Sequence, residues 1–191
     1  LSIVVGDLAA RTRLVNEAIR PDALLSFHIN AARWPESSAP GALQLVDSNH
    51  VHALIFGCMS RGELQSARQQ AQLAVKLRNG SDAAERNLGA ALSQALAEGT
   101  GLPASRYGGK NAILLDAEDP YLFARNLLLL RSVECPTVLL EPYVANSMAA
   151  YPRLQAALAN RAAGAALAAD DILLEYADAV VAGVLACYAD D

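Results

Sequence analysis

The chain has 191 residues, 53% of them hydrophobic and only 5% aromatic, with 15 basic and 20 acidic side chains for a formal charge of −5. This size suits one globular domain with a core of its own. The acidic balance, with no block of Lys or Arg, excludes a nucleic-acid groove or an anionic membrane surface, and no apolar run approaches the ~20 residues of a membrane span.

In chain order, Leu1 to Val5 is a short apolar run rich in β-branched residues and predicts a buried strand. Gly6-Asp7 then opens a helix carrying Leu8, Leu14, Val15, Ala18 and Ile19, which ends at Arg20-Pro21. Ala23 to Ile29 predicts a second strand, so the first 30 residues read as a βαβ unit with a parallel pair. An α/β fold follows from that reading. Trp34 to Pro40 reads as a polar loop and Gly41 to Val46 as a third strand. Asp47 to His52 reads as loop, although His50 and His52 would share a face if the segment were extended.

Gly62 to Leu77 predicts a helix closed by Asn79-Gly80. Asp82 and Glu85 have capping-box spacing for a following helix that runs to Glu98. A short strand is expected at Ala112 to Leu115, and Leu127 to Leu130 fits either a strand or a helix end. Thr137 to Glu141, bracketed by Pro136 and Pro142, is the clearest late strand. Ala156 to Ala169 is an Ala-rich stretch, helical or a mobile insertion, and a final helix carries Ile172, Tyr176, Val180, Val184 and Cys187 on one stripe. The three cysteines, Cys58, Cys135 and Cys187, are too few and too widely spaced for a disulfide scaffold or a CxxC cluster, which leaves a single pair open.

Few side chains have the chemistry of a site. His28 ends a predicted strand of a parallel pair, the end at which open α/β sheets bind ligands, although a lone histidine there is more often a core residue. Glu141 ends another apolar strand, where a carboxylate without a partner would cost several kcal/mol. Two such tips side by side would place an imidazole and a carboxylate at one mouth. Gly57-Cys58-Met59-Ser60-Arg61-Gly62 is one residue too long for a nucleophile elbow, and Tyr107-Gly108-Gly109-Lys110-Asn111 lacks the first glycine and the hydroxyl residue of a P-loop. Cys135 reads as a small buried hydrophobe rather than a nucleophile.

Three blocks in order carry a resemblance. They are Leu8-Ala9-Ala10-Arg11 with Asn16-Glu17-Ala18 and Ser26-Phe27-His28-Ile29-Asn30-Ala31; then Pro136 through Glu141-Pro142-Tyr143-Val144-Ala145-Asn146; then Tyr176 to Tyr188. Together they are similar to the zinc-dependent N-acetylmuramoyl-L-alanine amidases of bacterial peptidoglycan. The resemblance implies a three-layer α/β sandwich with a twisted, mostly parallel sheet and helices on both faces. It also implies a Zn2+ ion held in part by His28, Glu141 as the catalytic acid/base, and Asn30 and Asn146 at the substrate. A raised pKa at Glu141 would suit both of its parts.

Three departures stand out. The family's first histidine and its glutamate ligand have no counterpart here, so residues 1–191 are expected to be a single amidase-like domain lacking its N-terminal strand and helix, within a longer product. An upstream segment or a second polypeptide would supply the remaining ligands. Glu141-Pro142-Tyr143 stands where the family has Glu-small-Gly-Phe, and residues 59–99 and 156–171 read as insertions. The implied function is zinc-dependent hydrolysis of the amide between N-acetylmuramoyl and L-alanine, on peptidoglycan or a muropeptide, in the cell envelope or outside the cell. The alternatives are a degenerate domain of the same fold that binds peptidoglycan or a protein partner, and another zinc-dependent peptidase.

Overall fold

A computed structural model describes residues 2–35, 44–107 and 109–189. The first helix, α1 (Ser2–Arg13), runs into a π-helical turn, Leu14–Ile19, that closes on Arg20 in the left-handed region. The expected strand at Leu1 to Val5 is therefore absent: residues 2–5 belong to α1. A five-residue apolar run does not separate strand from helix by periodicity, and Gly6 continues the helix in open space instead of breaking it. The π turn is tied to the rest of the fold through Asn16, which donates to Ser132 O and accepts from Glu134 N.

Among the described residues five strands form one sheet: β1 (Leu24–Phe27), β2 (Val51–Phe56), β3 (Ala112–Leu114), β4 (Leu122–Arg125) and β5 (Thr137–Pro142), in the order β1-β5-β2-β4-β3. β1 and β5 are parallel, as are β2 and β4, while β5–β2 and β4–β3 are antiparallel. The parallel neighbour of β1 is thus β5, not a preceding strand, and the expected βαβ unit does not form. The segment expected as a third strand lies partly outside the described residues; its end, Val46, makes an isolated parallel bridge to Ser147.

Helices cover both faces, giving the expected α/β sandwich. They are α2 (Arg61–Leu64), α3 (Ala67–Arg78), α4 (Ser81–Thr100), α5 (Leu128–Ser132), α6 (Ala150–Ala162) and α7 (Ile172–Tyr188). On one face, Val51, Ala53, Ile55, Val138 and Leu140 pack against Leu88, Leu92 and Leu96 of α4, Leu154 of α6 and Ile172, Tyr176 and Val180 of α7. On the other face, Leu54, Phe123 and Leu139 meet Leu130 of α5. Among the described residues no helix is long and apolar enough to cross a membrane, and all three cysteines are free.

The predicted helix at 62–77 is two helices: α2, opened by a capping box in which Ser60 Oγ accepts from Glu63 N while Glu63 Oε2 accepts from Ser60 N, ends at Leu64, and α3 begins after Ser66. The capping box expected at Asp82 and Glu85 does not form. α4 starts at Ser81 after Gly80, and Glu85 turns inward to Lys76 of α3.

α4 and α7 approach closely at two glycines. A Cβ on Gly183 would stand 2.9 Å from Leu92 Cα and 3.1 Å from Ala91 O, both backbone atoms with little room to give, and one on Gly99 would stand 2.8 Å from Ala179 Cβ. Gly183→Ala is expected to destabilise the fold by about 1–3 kcal/mol, read as a lower urea midpoint with an unchanged slope.

α7 is capped by Asp171, whose carboxylate accepts from Leu173 N and Leu174 N and pairs with Arg161 of α6. The Arg161 hydrogen bonds, with those cap amides, outweigh desolvation and hold its pKa below the ordinary value. A carboxyl whose folded pKa is depressed stabilises the fold above its unfolded value of about 3.9, and that stabilisation is lost as pH falls through the folded pKa. Asp171→Ala should therefore lower the melting temperature at neutral pH, and the gap from wild type should narrow below about pH 4.

Candidate functional site

The candidate site is built from one row of side chains across three strands. Phe27 is level with Leu140 in the β1–β5 register, and His28 N donates to Leu140 O, so His28 follows level with Glu141. His52 is the direct partner of Glu141 in the β5–β2 register. Side chains alternate between faces along a strand, so His28, Glu141 and His52 line the α5 side of the sheet. Because β2 runs against β5, the start of β2 lies beside the ends of β1 and β5, and all three groups meet at one mouth.

His52 is fully buried, and its Nε2 lies 2.8 Å from Glu141 Oε2 and 2.8 Å from the Tyr107 hydroxyl. Tyr107 meets the His52 ring edge to face, with ring centroids 5.2 Å apart, and carries the Arg125 guanidinium 5.8 Å from its own centroid. Burial and the Glu141 charge push the Tyr107 phenol up, so it stays protonated. For Glu141, burial works to raise the pKa, but the hydrogen bond from His52, with the electrostatic influence of the basic groups around it, outweighs it. The carboxyl is held below its ordinary range, opposite to the raised value expected from sequence.

His50 stands behind this row, its ring 6.0 Å from that of His52. Asn30 Oδ1 accepts from Ala31 N, so its Nδ2 faces His50 Nε2 at 3.2 Å as a donor, and His50 Nδ1 donates to Ser48 Oγ. Burial, with His52 nearby, pushes the His50 pKa down against the pull of Glu141. Asn146 is buried and uses both ends of its amide on Ala32, accepting from its N–H and donating to its carbonyl. It clamps the loop after β1 to the loop after β5, and so sets where His28 and Asn30 sit.

Of the residues singled out from sequence, the structure brings His28 and Glu141 to one mouth, with Asn30 beside them and Asn146 beneath. The residue that sequence reasoning passed over is His52, assigned there to a loop. The signal was present: Val51, Ala53 and Ile55 alternate with His52 and Leu54 in a run that is apolar apart from the histidine. Beside the mouth, a groove of about 810 Å³ passes His50, Tyr107, Arg106, Leu114 and Phe123, with room for an extended ligand.

The implied zinc does not find a complete donor set. Among the described residues no three His, Cys, Asp or Glu side chains are grouped to hold a metal. His28 is the one implied donor at the mouth, and Glu141 is engaged with His52.

The turn after Glu141 is unusual. Tyr143 is fully buried at φ 64°, a left-handed conformation that favours glycine. Its hydroxyl donates to Glu175 of α7, which Arg153 of α6 also engages. Burial, with that bond and the Glu175 charge, pushes the phenol far up.

No family model and no curated protein matches this chain by sequence. Solved structures do match, and they share a class: the chain has the fold of the N-acetylmuramyl-L-alanine amidases. The amidase Ami1 from Mycobacterium smegmatis superposes with a TM-score of 0.54 at 16% identity, over 96% of this chain and 61% of its own. The N-acetylmuramoyl-L-alanine amidase from Clostridium difficile 630 gives 0.53 at 14%, over 96% and 66%, and Ami1 from Mycobacterium abscessus in its apo form gives 0.50 at 16%, over 94% and 60%. The chain thus spans less than two thirds of the length of each of these structures.

Proposed function

We propose that this chain carries the acid/base part of a hydrolase that cleaves the amide between N-acetylmuramoyl and L-alanine in peptidoglycan, at the cell envelope or outside the cell. The observation that supports it most is the level row of His28, Glu141 and His52 at the mouth of an amidase-like sheet. A carboxylate held ionised at neutral pH by hydrogen bonds is ready to take a proton from an attacking water. It is also a weak base, and so it readily returns that proton to the departing amine of L-alanine. The groove past His50 and Tyr107 gives the peptide stem a place to lie.

The proposal includes zinc dependence, with His28 as one donor and the others supplied by an upstream segment or a second polypeptide. Because the described donors are incomplete, no step of the proton transfer above runs through a metal. The test is to incubate the full-length product with a muropeptide, follow release of the free peptide by mass spectrometry, and measure bound zinc in the same sample. Release of the intact stem peptide supports the reading. Binding without cleavage would instead favour a peptidoglycan-binding domain of the same fold, and release of single C-terminal residues a carboxypeptidase.

A further inference from the structure

The buried imidazole of His52 has one feature that the proposed reaction does not use: its Nδ1 is buried and has no hydrogen-bond partner among the described residues. Its Nε2, on the other side of the ring, lies within 2.8 Å of two oxygens. A neutral imidazole has one N–H to place. Placed on Nδ1, that proton would be a buried donor with no acceptor among the described residues, and a bare Nε2 would face the carboxylate oxygen, lone pair against lone pair. Placed on Nε2, it donates to Glu141 Oε2, with the Tyr107 oxygen alongside.

We propose that His52, braced by Tyr107, is the positioning residue of Glu141, its Nε2–H holding Oε2 and so fixing the plane of the carboxylate at the mouth. This rests on the reading of Glu141 as the acid/base group. Three observations support it. The two residues are direct partners in the β5–β2 register, so the backbone ladder sets their separation. His52 is walled by Tyr107 and by Phe123, whose ring centroid is 6.2 Å away, so the ring is held in place. Because Nδ1 is buried and has no partner among the described residues, a proton taken up by Glu141 has no route onward through the His52 ring.

The test uses the full-length product labelled with ¹⁵N, its imidazole signals assigned by single substitution of each histidine. The expected spectrum shows His52 protonated at Nε2 and bare at Nδ1, with both signals moving in Glu141→Gln and, by less, in Tyr107→Phe. A His52 ring protonated at Nδ1, or one indifferent to Glu141→Gln, would overturn the proposal. In muropeptide cleavage, His52→Leu is expected to lower kcat by ~10–100-fold with KM little changed, as for loss of a group that orients a reacting one. His52→Gln, which keeps an N–H donor at that place, should recover most of it. Equal losses in the two variants, or a change confined to KM, would count against positioning. If the wild type cleaves no muropeptide, the functional reading fails while the ring spectrum still decides the role of His52.

Discussion

Glutamine at position 141 is expected to lower muropeptide cleavage by about 10²–10⁴-fold, the usual contribution of a positioned acid/base group. The change is isosteric, and its carbonyl can still accept from His52 Nε2, so the site keeps its geometry and loses only the means to take up and return a proton. KM should move little, because nothing that binds the substrate has been removed. Initial rates across substrate concentration, beside a thermal melt that shows an unchanged fold, check this. Normal turnover in Glu141→Gln would remove the carboxylate from the mechanism.

The second large effect concerns stability. Lys76 of α3 and Glu85 of α4 form a fully buried ion pair, each side chain 1% exposed. Lys76 also donates to Cys135 O, and Glu85 accepts from Thr137 N at the start of β5, so the pair fixes the end of the sheet opposite the mouth. Removing one partner leaves a buried charge without compensation. Lys76→Met is expected to cost about 3–5 kcal/mol in denaturant unfolding.

Burial outweighs Lys76 and already raises the Glu85 pKa, and losing the lysine would raise it further. A carboxyl raised in the folded state favours folding below its unfolded value of about 4.3, and that contribution is lost as pH rises through the folded pKa. The Lys76→Met variant should therefore regain stability on acidification. Adding Glu85→Gln removes the charge and keeps an acceptor for Thr137 N, so the double variant should recover much of the loss at neutral pH. If the two changes simply add, the pair is not coupled.

Much of the late half was legible because its signals are local and agree. Pro136 and Pro142 bracket an apolar run that can only be a strand, and the stripe of α7 has the helical period. Elsewhere the signals are too short to decide. Residues 1–5 fit strand and helix equally well, and β4 is four residues ending in an arginine, too brief for alternation to show. At the site, His28 and Glu141 could be paired from sequence because each ends a strand and the ordered motifs link them. His52 could not, because its place depends on β2 running antiparallel to β5, a long-range pairing with no local mark. The same limit hid Glu85: its spacing from Asp82 spoke for a cap, and only the fold shows that Lys76 lies within reach.

Tyr143 adds a constraint of another kind. A tyrosine in a left-handed turn costs of order 1–2 kcal/mol of backbone strain, a cost that glycine would avoid. It is tolerated because the side chain fills the core and is anchored on Glu175. Residues 143 and 175 are therefore matched: with glycine at the first position, the carboxylate at the second loses its buried phenol and keeps only Arg153 of α6, so the constraint on α7 there is weaker. Across relatives the two sites should vary together, and grafting either change alone should be worse than grafting both.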